Sequence, residues 1–277
     1  MKRVFKRFSL GVLALVPLLL AFGCGKNSAQ AAKTTTVKIG IMSSDERIWQ
    51  PIAQKLQHQN INLKLVEFSD YNQPNKALTD HQLDLNSFQH YDFLDSWNKS
   101  HHTNIVAIGE TYMPRGFMYS QKIKAVSQIK SGDKIAISND PTNEGHGLNV
   151  LQQAGLIKIK ADVKLPTVND ITANPKKIKI IEMEAPQTAR ALGNVTAALV
   201  GNDIAADAGL TAKQVIFKEK IDARSKRSIN IIAANRADKN NKVYQKVVKA
   251  YQTEATAKLI QKVYKGTAFG VWTLKGA

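Results

Sequence analysis

Strand-like apolar segments alternate with helical segments along most of the chain, and this alternation constrains the fold more than any other feature. The first cycle has a strand over residues 37–42, a helix to about Leu56 and a second strand over residues 61–68. Strands that are joined through a helix run parallel, with helices covering both faces of the sheet. The sequence therefore predicts an α/β fold.

The same rhythm continues to the C-terminus. Ser44 and Asp45 are predicted to cap the first helix. Further strands are predicted over residues 83–86, 105–108, 134–138, 178–182, 197–200 and 229–233, and further helices over residues 74–79, up to about 97, 143–154, 186–192 and about 241–265. Two groups of such units predict two lobes, and ligands of such sheets bind beyond the carboxyl ends of the strands, in a cleft that a hinge can close.

The N-terminal residues have the pattern of an export signal. Four basic residues lie within the first seven, an apolar run extends to Phe22, and Gly23 precedes Cys24. The apolar part, residues 10–22, is short for a membrane span, which needs roughly 20 residues. A retained N-terminal anchor helix is the alternative interpretation.

Cys24, the only cysteine, is the predicted attachment point for acyl chains such as palmitate. A lone cysteine cannot form an internal disulfide, so a tether explains it better than a redox or metal role. Bacterial lipoprotein signals usually have Leu three places before the cysteine, and this chain has Ala21 there. Residues 1–23 are thus predicted to be a signal peptide and residues 24–36 a flexible tether.

Charge and motifs exclude several function classes. Without residues 1–23, which carry four basic and no acidic side chains, the formal net charge falls from +17 to +13. The lysines are scattered rather than clustered with aromatic residues, which indicates a solvated face near an anionic cell surface and not a nucleic-acid partner. Phosphate-binding glycine loops, nucleophile elbows and metal-ligand spacings are missing from the sequence. We therefore predict no catalytic residues, metal or cofactor, and no enzyme.

Aromatic side chains and an imidazole cluster where a predicted strand passes into a helix. Phe88, His90 and Phe93 lie within six residues, and Tyr71 precedes them by one strand–helix unit. An apolar slot with a few polar groups is the usual composition of a small-molecule pocket. The alternative is that Phe88 and Phe93 are ordinary core residues.

The chain resembles the methionine-binding lipoprotein family of ABC importers. Ordered matches extend from residue 37 to about 272. They include residues 70–78 (DYNQPNKAL), 83–94 (LDLNSFQHYDFL), 113–114, 119–120, 138–145 (SNDPTNEG), 154–158 (AGLIK), 182–187 (EMEAPQ), 190–192, 208–210 and 230–232. So many matches in order are specific to this family.

This resemblance implies a type II periplasmic-binding-protein-like fold that delivers an amino-acid ligand to a membrane permease driven by a cytoplasmic ATPase. It places lobe 1 at residues 37–112 plus about 229–277, lobe 2 at 113–228, and the ligand cleft between them. The protein would be extracytoplasmic and attached to the cell membrane through Cys24. The implied ligand-binding residues are Tyr71, Phe88, His90, Phe93, His146, Gly201, Asn202 and Asn230.

Two of these positions depart from the family pattern. His146 stands where the family has an Arg that pairs with the ligand carboxylate, and Gly201 stands where it has an Asn. Losing a buried charged partner costs roughly 2–5 kcal/mol, which reduces methionine affinity by well over tenfold. Asn202 could restore the amide, Asp203 could meet a ligand ammonium or cap a helix, and Arg227 could replace the Arg.

The sequence therefore predicts a binder of methionine or a related amino acid. Aromatic rings would hold a thioether side chain, since sulfur packs well on rings. The alternatives are a binder of a different solute, such as a dipeptide, and a surface adhesin that kept the fold.

Overall fold

The computed structural model describes residues 34–273, and for residues 223 and 224 it describes the backbone only. The predicted signal peptide, Cys24 and nearly all of the predicted tether lie outside the described residues. The first strand begins at Thr35, two residues before its predicted start and within the end of the predicted tether. Within the described range, no helix is both long and apolar enough to cross a membrane.

The described elements follow the predicted alternation, with additional short strands. The strands are β1 (Thr35–Met42), β2 (Ile61–Phe68), β3 (Leu85–Ser87), β4 (Val106–Glu110), β5 (Tyr112–Pro114), β6 (Phe117–Tyr119), β7 (Lys134–Ser138), β8 (Lys158–Ile159), β9 (Ile171–Ala173), β10 (Lys179–Met183), β11 (Ala197–Leu199), β12 (Val215–Lys218), β13 (Ile231–Ala234) and β14 (Ala268–Gly270). The α-helices are α1 (Glu46–Gln57), α2 (Gln73–Thr79), α3 (Tyr91–His101), α4 (Pro141–Gln153), α5 (Ala185–Arg190), α6 (Asn202–Asp207), α7 (Lys242–Tyr251) and α8 (Glu254–Val263).

Two five-stranded sheets form the centres of two lobes, which confirms the predicted α/β class. Their strand orders are β2-β1-β3-β13-β4 and β10-β7-β11-β6-β12. The first three strands in each of these orders are parallel to one another. In the first sheet, for example, Ile39 of β1 pairs with Leu65 of β2 and with Leu85 of β3. Smaller pairs, β5 with β14 and β8 with β9, complete the strands.

The parallel direction predicted for strands joined through helices does not extend to one strand of each sheet. β13 runs antiparallel to both neighbours in the first sheet, and β6 does the same in the second. Each of these strands follows a segment that crosses from the other sheet. It is therefore not part of a strand–helix–strand unit, in which the two strands must run parallel. The chain crosses between the sheets over residues 110–117 and 218–231.

Packing of α1 shows how the first lobe forms its core. Its buried side chains recur at helical spacing and include Trp49 and Leu56, both fully buried. The Trp49 ring lies 4.6 Å from the ring of Tyr251 in α7. The C-terminal helices therefore belong to the first lobe, because α1 packs against both of them.

Two predicted helix boundaries need correction. The predicted caps Ser44 and Asp45 form a 3-10 turn and make no side-chain capping bond, because Asp45 is buried and accepts a hydrogen bond from the Tyr264 hydroxyl. Burial raises the pKa of Asp45 to about 8. The predicted single helix over 241–265 is two helices, since Thr253 caps α8 by accepting a hydrogen bond from the Thr256 N–H at 3.2 Å.

A buried network of amide side chains fixes the turn that leaves β3. Asn75, Asn86 and Gln89 are at most 2% exposed. Asn75 donates to Gln89 at 2.8 Å, Asn86 donates to Asn75 at 2.8 Å, and Gln89 donates to Asn75 at 2.7 Å and Asn86 at 3.0 Å. Each amide is satisfied by the others, so the network ties the start of α2 to the segment that carries Phe88 and His90.

We expect Asn75→Ala to lower the free energy of unfolding by about 2–4 kcal/mol, because it leaves Gln89 Oε1 buried without a donor and removes one acceptor each from the amide nitrogens of Asn86 and Gln89. Urea unfolding followed by circular dichroism measures this. Asn240→Ala, at an exposed turn position, is the matched control and should change the value by less than about 0.5 kcal/mol. Equal effects of the two substitutions would contradict the role of the network.

Candidate functional site

A cavity lies between the two sheets, where strands of both lobes end. Residues that follow β2 and β3 line it from the first lobe, and residues that follow β7 and β11 line it from the second. All eight predicted ligand-binding residues line it: Tyr71, Phe88, His90, Phe93, His146, Gly201, Asn202 and Asn230. The predicted placement beyond the carboxyl ends of the parallel strands therefore agrees with this geometry.

Three aromatic rings form one wall of the cavity. The centroids of Phe88 and Phe93 are 5.5 Å apart, and Tyr71 lies 6.2 Å from each of them. Phe93 meets both other rings nearly edge-on, at interplanar angles of 78°. The rings thus hold one another in place and present a rigid apolar surface.

His90 joins the aromatic wall to the second lobe as a neutral imidazole. Its Nδ1 accepts a hydrogen bond from the backbone N–H of Phe93 at 3.1 Å and so caps α3. Because Nδ1 is an acceptor, the ring proton lies on Nε2, which donates to Asn143 Oδ1 at 3.4 Å. Burial lowers the pKa of His90, and the neighbouring His146 lowers it further.

Asn230 lies beside His90 at the entry to β13. The two residues form an antiparallel bridge, and the Asn230 N–H donates to the Tyr112 carbonyl at 2.8 Å. Its side chain is 8% exposed, and no described residue hydrogen-bonds its amide. A buried amide on a cavity wall is suited to binding a polar group of a ligand.

The turn after β11 forms the facing wall. Gly201 has φ −54° and ψ 145°, which any residue adopts, so the absence of a side chain rather than backbone freedom distinguishes it. A Cβ there would lie 2.9 Å from Asp203 Oδ1 and 3.0 Å from the Tyr71 hydroxyl oxygen. Asn202 follows, with its Nδ2 buried and without a partner among the described residues.

Tyr71 and Asp203 join the two lobes across the cavity. The Tyr71 hydroxyl lies 2.9 Å and 2.8 Å from the two carboxylate oxygens of Asp203, 132 residues along the chain. Burial raises the pKa of Asp203, and the Tyr71 hydrogen bond opposes that rise. Burial and the Asp203 charge together raise the pKa of Tyr71, which keeps the phenol protonated as the donor.

His146 is paired with a residue that the sequence analysis missed. Its Nε2 lies 2.9 Å from Glu219 Oε1, while Glu219 Oε2 accepts from the Gly116 N–H at 2.8 Å. Burial acts to raise the pKa of Glu219, but the bonds and charge of these partners outweigh it and lower the pKa. Glu219 is 73 residues from His146, so no local pattern indicates the pair.

Arg227 does not line this cavity. Its guanidinium pairs with Asp92 at 2.9 Å and with Asp95, and it lies 5.5 Å above the Tyr91 ring. The structure therefore gives no support to Arg227 as a replacement for the family Arg.

Other lining residues were not predicted as ligand-binding residues. Asn143 accepts from His90 and lies in the matched segment 138–145, so the resemblance could have indicated it. Among the described residues, no group of three or more His, Cys, Asp or Glu side chains is placed to bind a metal ion.

The two α/β lobes and the cavity between them define a binding protein of the periplasmic-binding-protein-like fold. The NlpA lipoprotein family model matches residues 37–272, and the chain belongs to this family. It is accordingly a binding protein and not an enzyme.

Named relatives and solved structures resemble the chain over nearly its whole length. The D-methionine-binding lipoprotein MetQ of Escherichia coli K12 is 36% identical over 97% of this chain and 98% of its own. The substrate-binding protein of a methionine transporter from Streptococcus pneumoniae is 40% identical, with a TM-score of 0.81 over 86% of this chain and 96% of its own. A nutrient-binding protein from Burkholderia cenocepacia, solved bound to methionine, is 38% identical, with a TM-score of 0.80 over 84% and 99%.

We expect Gly201→Ala to separate Tyr71 from Asp203, because the added Cβ would lie within 3.0 Å of both side chains. Weakening this buried hydrogen bond should lower the free energy of unfolding by about 1–3 kcal/mol. Urea unfolding measures the change. Gly193→Ala, where a Cβ would have no neighbour within 4 Å, is the control and should change it by at most about 0.5 kcal/mol. Two equally stable variants would show that the space at Gly201 is not required.

Proposed function

We propose that this protein binds methionine or a related amino acid outside the cytoplasm and delivers it to an ABC importer. The observation that carries the proposal is the cavity between the lobes, which combines a wall of three rings with unpaired amides. The names of the relatives support the same ligand class.

The aromatic wall is suited to the thioether of methionine. Sulfur near a ring edge or face is favourable by roughly 0.3–1.5 kcal/mol, and burying the side chain adds roughly 1.5–3 kcal/mol. Tyr71, Phe88 and Phe93 would surround this end of the ligand. His90 and Asn230 lie at the edge of the wall and would bind its polar head.

This chain departs from the family pattern at the position that would bind the ligand carboxylate. An Arg offers two parallel charge-assisted bonds, whereas His146 offers one and is already bonded to Glu219. This difference supports a ligand that is related to methionine but held differently, with His146 and Asn202 as the proposed contacts. It is also the reason that we keep methionine derivatives and dipeptides among the ligands to be tested.

The two lobes would close over the ligand. We propose residues 37–112 with 229–277 as one moving unit and residues 113–228 as the other, with the crossing segments as the hinge. Closure would bury the ligand and present one surface to a permease that a cytoplasmic ATPase drives. Acyl chains on Cys24, after removal of residues 1–23, would attach the protein to the cell membrane.

Calorimetric titration of the protein with L- and D-methionine and methionine dipeptides tests the ligand. We expect at least one of them to bind, and Phe88→Ala to weaken that binding by at least about tenfold through the loss of a ring from the wall. Phe217→Ala, a half-buried ring of the second lobe that does not line the cavity, is the matched control. Absence of binding across the whole panel would reject the proposed ligand class and favour an adhesin.

Metabolic labelling with palmitate in a bacterial host tests the anchor. We expect the full chain to be labelled and recovered with membranes, and Cys24→Ala to abolish the labelling because it removes the only thiol. Adding Ser28→Cys to that variant moves the thiol by four residues and should not restore it. Membrane recovery of Cys24→Ala with residues 1–23 still attached would instead indicate a retained N-terminal anchor.

A further inference from the structure

Asp203 is a buried carboxylate on the cavity wall that lacks a cationic partner. Its side chain is 5% exposed, and no described side chain forms an ion pair with it. The neutral hydroxyl of Tyr71 is its side-chain hydrogen-bond donor. A buried charge is normally paired with an opposite charge, and this carboxylate has no such partner among the described side chains. A cationic group of a ligand could pair with it.

The charged groups closest to Asp203 have the same sign. Asp207 lies close enough to oppose its ionisation, and Asp203 in turn acts on the buried Asp45. None of the described side chains therefore supplies a cation to Asp203. A primary ammonium is the complementary group, since it donates up to three hydrogen bonds and carries the missing charge.

Gly201 is what leaves Asp203 open to the cavity. A side chain at this position would begin 2.9 Å from Asp203 Oδ1 and 3.0 Å from the Tyr71 hydroxyl, so it would crowd both groups on the cavity wall. The resemblance places an Asn here. Gly in place of that Asn removes a neutral amide from the wall and leaves the carboxylate two residues later as the polar group of this turn.

We propose that Asp203 receives the ammonium group of the ligand, with Tyr71 holding the carboxylate in position and Gly201 providing the space. The inference rests on the proposed amino-acid binding and adds its specificity: the site selects solutes with a free primary amine. In this arrangement the strongest electrostatic contact of the site is made with the ligand ammonium and not with the ligand carboxylate. His146, the residue at the family Arg position, is already bonded to Glu219.

The test compares methionine with 4-(methylsulfanyl)butanoate, which is methionine without its amino group, by calorimetric titration. The unmodified protein should bind methionine at least about 100-fold more tightly, because the analogue leaves Asp203 unpaired. Asp203→Asn, which keeps an oxygen that can accept from Tyr71, should weaken methionine binding by at least about tenfold and leave binding of the analogue nearly unchanged. Asp207→Asn, outside the cavity, should preserve the preference.

The possible outcomes separate this inference from the proposed function. Methionine binding with no preference over the analogue overturns the role of Asp203 and leaves the proposed function standing. An equal loss for both ligands in Asp203→Asn overturns it as well, since it shows that the Asp203–Tyr71 contact only stabilises closure. Absence of binding by the unmodified protein to every methionine-type ligand overturns the proposed function and this inference together.

The unmodified protein alone decides the matter if Asp203→Asn does not fold. Methioninamide keeps the ammonium and loses the carboxylate, so it should bind more tightly than 4-(methylsulfanyl)butanoate. The reverse order would show that the carboxylate carries the recognition, and would overturn the inference.

Discussion

Three buried amides determine where the cavity lies. Asn75, Asn86 and Gln89 satisfy one another inside the first lobe, and the segment they hold carries Phe88 and His90 to the end of β3. If Asn75 were missing, Gln89 Oε1 would be buried without a donor and two amide nitrogens would each lose an acceptor, so the three side chains stabilise one another. The aromatic wall and the cap of α3 both depend on this turn.

Few polar contacts join the lobes at the cavity. Tyr71 donates to Asp203, and His90 donates to Asn143. The neutral His90–Asn143 hydrogen bond contributes roughly 0.5–1.5 kcal/mol and the Tyr71 bond to the Asp203 carboxylate roughly 1.5–3 kcal/mol, which is no more than the burial of one ligand side chain. A cleft held by such contacts can open and close, and a ligand that binds both walls biases it toward closure.

Each of the two positions that depart from the family pattern has a carboxylate beside it in the tertiary structure. His146 has Glu219, and the space left at Gly201 is bordered by Tyr71 and Asp203. Carboxylates beside both positions, with no Arg to balance them, are the physical basis for expecting recognition through the ligand ammonium.

The sequence by itself determined the α/β class, the order of the main strands and helices, and the cluster of Phe88, His90 and Phe93. These features are local: apolar periodicity spans one element, and Phe88, His90 and Phe93 lie within one turn and the helix that follows it. The resemblance added the distant residues, such as Asn230. The same local reasoning missed strands of three or four residues, including β6 and β12, because so short a segment shows no periodicity.

Only the tertiary structure decided the partners of the charged residues and the direction of the crossing strands. Tyr71 and Asp203 are 132 residues apart, His146 and Glu219 are 73 apart, and Asp45 meets Tyr264 across 219. Which carboxylate meets which hydroxyl or imidazole depends on how the chain crosses twice between the sheets. Periodicity reports whether a side chain is buried, whereas the charge state of a buried group is set by neighbours that folding brings to it.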